Sequence, residues 1–367
     1  MSVEGYNVQA NRTSAELAPY RAKPIWPSRI VERGRTFVDT PFLAALLVGG
    51  WIPVAATLLA VDRAEASTLF VLGQSMACLM VVVGPYDVWY FDRHLLPGFF
   101  KDADETLTAD DDTVLSSLSR RYDTYYTDYW WVSVGIWAVL VLGVFVVSQP
   151  YFLSQGITSP LERVAYLCFF LYWLTIVGLR SHAAVVTVLA IRSFAENATL
   201  DIDPLHPDGL GGLSAVGNLA IQTTVIVSLG SFALPLSFQI AAHNAFGGFV
   251  YAGVALFVLL VAANFAYPTY KMNRRAQEIR ERLLETHKDK IRTLEAQLDM
   301  PDDDGEVSVR ENQLLQLEIQ RERREFRDHQ SVQLYPLSIG IITRLVSSLL
   351  LPIFFILFEF FITGMIQ

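Results

Sequence analysis

The chain has 367 residues, of which 52% are hydrophobic and 18% charged. Soluble globular domains carry about 25% charged residues, so this balance argues against a purely soluble enzyme and against a disordered chain. The net charge of −9 argues against a general nucleic-acid binder, and two cysteines are too few for a disulfide-stapled secreted scaffold.

Residues 1–40 are polar and read as an N-terminal arm. Pro19, Pro24 and Pro27 interrupt any long helix there, and a short helix is expected over Arg29–Val38. No apolar core follows the start methionine, so no cleaved signal peptide is expected. Seven apolar stretches then reach spanning length, about 20 residues. They are Pro41–Val61, Thr68–Tyr90, Tyr129–Ser148, Leu161–Leu189, Leu213–Ile240, Phe246–Tyr267 and Leu337–Thr363. Gly84-Pro85 and Pro235 interrupt the second and fifth, and Pro53 and Pro352 lie inside the first and seventh. Prolines there predict bent helices or gating hinges. The expected fold class is all-α: a polytopic membrane helix bundle of about seven spans with a cytoplasmic antiparallel coiled-coil hairpin. Its parts are the arm 1–40, a six-span membrane domain 41–268 with a cytoplasmic segment 91–128, the hairpin 269–336 and a final span 337–367.

Basic residues set the expected orientation. With the N-terminus inside, 24 of the 28 Lys and Arg residues fall on cytoplasmic segments, and only Arg63 and Arg163 lie outside. This places the chain in the cell (plasma) membrane with its C-terminus outside. Trp89-Tyr90-Phe91 and Tyr129-Trp130-Trp131 mark span boundaries, as interfacial aromatics do.

Within 91–128, Val114, Leu115, Leu118, Tyr122, Tyr125, Tyr126 and Tyr129 recur at helical spacing behind an Asp112 or Thr113 cap. The stripe either lies on the inner membrane surface or packs against the other cytoplasmic helices. In 271–332 an apolar stripe including His287 runs from Met272 to Leu298, Pro301–Gly305 forms a turn, and a second charge-rich helix returns. The hairpin is either a solvated stalk or a surface for a second copy or a cytoplasmic protein. Apart from those and the lipid bilayer no partner is implied, and no nucleic acid.

The loop before the fifth span reads His206-Pro207-Asp208 and then Gly211-Gly212-Leu213; later come the hairpin, Tyr335-Pro336 and a leucine-rich span. This order, over roughly 161–363, resembles a group of uncharacterised prokaryotic multi-pass membrane proteins. The resemblance implies an architecture and brings no established activity. Arg is far commoner than Lys (23 against 5), a bias consistent with a high-salt or GC-rich prokaryote, including a haloarchaeon. In the loop itself, His206, Asp208, Gly211 and Gly212 form either a rigid capped entry to the span or an anion or headgroup site.

Ionisable residues within spans are functional candidates by default. Arg180 lies about 28 Å below the outer start of its span, at the inner depth of Asp87 and Arg344. Asp87 is expected to pair with Arg180 or Arg344, unless the arginines snorkel to phosphates. Glu359 lies about 22 Å further out than Arg344, where Arg163 is its plausible partner; it otherwise faces a cavity as a cation or proton site. Gln74, Asn218, Gln222, Gln239 and Asn264 either line a pathway or bond helix to helix. His94, His182 and His206 all fall near the inner face. Cys78 and Cys168 read as packing residues. No hydrolase elbow, Walker loop, C-x-x-C pair or H-E-x-x-H helix occurs, so no catalytic residue, metal site or cofactor is assigned. The leading expectation is an ion or small-solute channel or transporter. The alternatives are a membrane sensor or scaffold acting through the hairpin, and an inner-face lipid-modifying enzyme.

Overall fold

The computed structural model describes residues 24–63, 65–104, 112–198, 213–243, 247–298, 305–331, 353–355 and 357. Among them every regular element is helical. In order these are α1 (Trp26–Gly34), α2 (Pro41–Gly49), α3 (Trp51–Val61), α4 (Thr68–Tyr90), α5 (Leu96–Ala103), α6 (Asp112–Asp128), α7 (Trp130–Val147), α8 (Gln149–Ser154), α9 (Pro160–Asn197), α10 (Ser214–Ser228), α11 (Leu234–Ala242), α12 (Gly247–Leu298) and α13 (Gly305–Ser331). The short helix expected at Arg29–Val38 starts earlier, because Pro27 fits the first turn of a helix, where its missing N–H has no partner to lose.

Among the described residues five helical runs are long and apolar enough to cross a membrane, and a sixth arises if α2 and α3 count as one bent span. These correspond to the first six apolar stretches of the sequence. The seventh, Leu337–Thr363, lies outside the described residues except for Ile353–Phe355 and Leu357. Broad apolar surface faces outward, as lipid contact requires: Trp131 on α7 is 61% exposed and Leu259 on α12 is 65% exposed.

Prolines account for most breaks. α2 and α3 meet at 59° around Gly50. Pro53 has no N–H to donate to Gly49, and its ring crowds that carbonyl. A π-turn over Phe91–Leu95 precedes Pro97, and a 3₁₀ turn over Leu229–Ala233 precedes Pro235. Two prolines do not break their helices. α4 passes through Pro85 and α12 through Pro268 without ending. The expected interruption at Gly84-Pro85 is therefore a continuous helix.

α9 is the hub, touching α3, α4, α6, α7, α10 and α12. Its 38 residues extend about 57 Å, well past a hydrocarbon core of about 30 Å. Around one end, Phe91, Leu95, Phe99 and Phe100 of the π-turn and α5 pack with Leu115, Leu118, Tyr122 and Tyr126 of α6 and with Phe194 of α9. Leu115, Leu118, Tyr122 and Tyr126 of the expected stripe are thus spent on protein, while Tyr125 and Tyr129 stay exposed. Tyr122 donates to Leu189 O at 2.8 Å, anchoring α6 to α9. At the other end, Phe70, Tyr151, Phe152, Tyr166 and Phe170 form a second cluster beneath α8.

α12 runs 52 residues, about 78 Å, from apolar to charged sequence. Met272 and Ala276 sit in the α5–α6–α9 core. Beyond them α13 packs back along α12: Lys290 pairs with Glu322, and Arg323 pairs with Glu295 at 2.6 Å. His287 of α12 lies against His329 near the end of α13, whereas Glu295, further along α12, pairs with Arg323, earlier on α13, so the two run antiparallel.

Candidate functional site

Asp87 projects from the last turn of α4 and Arg180 from the middle of α9. Gly84 brings these helices close: a Cβ there would lie 2.3 Å from Ile176 Cγ2. In that contact the Arg180 guanidinium forms an ion pair with the Asp87 carboxylate. Both are buried, at 2% and 5% exposure. Arg180 Nη2 also donates to Met80 O at 3.2 Å, in the turn ahead of Pro85. Its Nε and Nη1 meet no hydrogen-bond partner among the described residues. A buried guanidinium has five N–H donors, and one carboxylate plus one carbonyl leaves some unused.

The remaining buried polar groups mostly tie helices together. Thr187 on α9 meets Thr223 on α10 at 3.0 Å, and the Asn264 amide on α12 lies 3.0 Å from Thr224 Oγ1. Trp137 donates to Ser181 at 2.8 Å. Gln239 donates to Leu69 O at 2.6 Å and accepts from Tyr151. His182 stacks on Tyr125 and Tyr126, and its Nε2 lies 3.2 Å from Tyr125 O. Beside the α5–α10 contact, Tyr90, His94, Asp102, Asn218 and Gln222 line a small polar cleft. Tyr90 donates to Gln222 at 2.9 Å, and His94 stacks against Trp89 and Tyr90.

Between α12 and α13 a third polar group forms. Glu322, only 3% exposed, accepts from Lys290 and lies 2.8 Å from His287 Nδ1. The Lys290 hydrogen bond, helped by His287, holds the Glu322 carboxyl below the usual range for Glu despite its burial. One ligand atom each from His287, Glu322 and Glu325 falls within 4.8 Å of the others. His329 stacks on His287 with ring centroids 5.2 Å apart.

Of the residues singled out in the sequence, Asp87 and Arg180 are brought together. Arg163 stands exposed at the start of α9 and donates to Thr158 O at 3.2 Å. The neighbouring Glu162 pairs with Arg63, a contact the sequence reading did not contain. Ser159 and Glu162 form a capping box, and S-x-x-E before an apolar run was the available signal. Arg344, Glu359, His206, Asp208, Gly211 and Gly212 lie outside the described residues. The His287–Glu322–Glu325 group was also missed. Its signal is the i, i+3, i+7 spacing of Glu322, Glu325 and His329, which sets them on one face of α13. No family model, curated protein or solved structure matches the chain.

Proposed function

We propose that this is a plasma-membrane protein of seven spans, N-terminus inside, in which α12 and α13 form a cytoplasmic coiled-coil hairpin that passes a signal to the membrane bundle. The observation that carries this reading is α12 itself. It is one helix from an apolar stretch to the charged arm, and Met272 and Ala276 bury it in the α5–α6–α9 core on the way. A shift of the arm therefore displaces core side chains, and packed interiors respond to such shifts as units. The hairpin's charged faces are open to a second copy or a cytoplasmic partner.

The test locks the arms with a disulfide between Glu295→Cys and Arg323→Cys in a background free of Cys78 and Cys168. The reactivity of a third cysteine, Asn218→Cys in the exposed cleft at the bundle end, is then measured. Oxidation of the arm pair is expected to change that reactivity; identical rates with locked and open arms overturn transmission. A Lys288→Cys variant is expected to label only from the cytoplasmic side, which fixes the orientation.

A second reading, an ion or small-solute channel or transporter, is favoured by the Nε and Nη1 donors of Arg180, which meet no partner among the described residues. Those donors suit an anion. Anion flux into proteoliposomes that exceeds empty vesicles and is lost in Arg180→Gln supports it; flux equal to empty vesicles refutes it.

A further inference from the structure

We propose that His287, Glu322 and Glu325 form a binding site for a divalent first-row transition metal ion that staples α13 to α12. The proposal is independent of any signal passed along the hairpin.

The ligands come from both helices. His287 belongs to α12, whereas Glu322 and Glu325 share one face of α13. Their ligand atoms already lie within 4.8 Å of one another, and His287 Nδ1 is 2.8 Å from Glu322 Oε2. Coordination at about 2.0–2.2 Å places neighbouring ligands roughly 3 Å apart, so closing on an ion needs only side-chain movement. One imidazole nitrogen with two carboxylates is a borderline donor set. It suits zinc and its first-row neighbours, whereas calcium and magnesium prefer oxygen alone. Glu322 is almost fully enclosed, which orders a ligand before any ion arrives.

His329 supplies an independent observation. It stacks on His287, and its Nδ1 lies 2.9 Å from Glu325 O. A carbonyl only accepts, so Nδ1 carries the proton and Nε2 keeps a lone pair. Hydrogen-bonding one nitrogen to a carbonyl to free the other is the usual orientation of a metal-binding histidine. His329 thus stands beside the cluster as a further imidazole donor.

Two cations compete for the carboxylates. Lys290 holds Glu322, and Arg321 donates to Glu325 at 2.9 Å. Lys290 is 54% exposed at its side chain, so its ammonium is free to leave for water when an ion binds. This competition gives the proposal a signature that a purely structural polar cluster lacks: removing the lysine should tighten binding.

The experiment uses the purified full-length protein in detergent, with zinc titrated by calorimetry and cobalt absorption reporting the ligand set. One ion per chain is expected. Glu322→Gln, which keeps the side chain's shape and one oxygen to accept from Lys290 but removes the carboxylate ligand, is expected to weaken zinc binding at least about tenfold. Lys290→Met, which keeps every ligand, is expected to tighten it severalfold. Circular dichroism and size exclusion verify that both variants are folded. Absence of saturable zinc binding, affinity unchanged by Glu322→Gln, or affinity unchanged by Lys290→Met overturns the proposal.

Discussion

Arg180 of α9 meets Asp87 of α4 where Gly84 lets the two helices approach, and both charges are withdrawn from solvent. A buried pair of this kind is costly to assemble and more costly to break, because either partner left alone is an uncompensated charge. Replacing Asp87 by Leu, or Arg180 by Met, is therefore expected to destabilise the fold by about 3–5 kcal/mol. The double replacement should recover most of that loss. Thermal unfolding of the detergent-solubilised protein measures all three; additive losses in the double variant would show that the residues do not act as a pair.

The close approach itself is testable at Gly84. A methyl there meets Ile176 at well under van der Waals distance. Gly84→Ala is expected to cost about 1–3 kcal/mol by overpacking. Ile176→Ala alone opens a cavity at a fully buried position. Combining the two should cost less than their sum by at least about 0.5 kcal/mol, the size expected for residues in contact.

Much of the bundle was readable from apolar runs alone, because span length is set by bilayer thickness and not by partners. The depth of Asp87 and Arg180 followed from a fixed rise per residue. What lay beyond reach depended on which surfaces meet. The stripe Leu115, Leu118, Tyr122 and Tyr126 has the same periodicity whether it faces lipid or protein, and only the fold puts it on α9. His287 read as one more position in an apolar stripe, since the register of α13 against α12 decides that Glu322 faces it. Gly84-Pro85 was expected to interrupt its span, yet Pro85 lies in an unbroken helix, as membrane helices tolerate.

At the start of α9, the cap is expected to matter more than the surface charge. Ser159 accepts from Glu162 N at 3.2 Å, and Glu162 accepts from the backbone of Thr158 and Ser159, each at 3.0 Å. Ser159→Ala should cost about 1 kcal/mol. Glu162→Ala should cost more, since it removes both backbone contacts and strands Arg63 together. Arg63→Ala is expected to cost under about 1 kcal/mol, because its side chain is 35% exposed. Unfolding midpoints ranked in any other order would contradict a helix start governed by its capping box.

The attachment of α6 separates two physical states that the sequence leaves open. A helix lying on the membrane surface would keep Leu118 against lipid and the Tyr122 hydroxyl near water. In the fold Leu118 is 6% exposed among protein side chains, while Tyr122 donates to Leu189 O and meets Ser193 Oγ at 2.6 Å. Tyr122→Phe is therefore expected to cost about 1 kcal/mol by leaving buried acceptors unmet, and Leu118→Ala about 2–5 kcal/mol through a cavity. Hydrogen exchange should report the same event locally, with both variants speeding exchange along α6. Variants as stable as the parent, with α6 exchange unchanged, would instead mean that α6 rests on the bilayer.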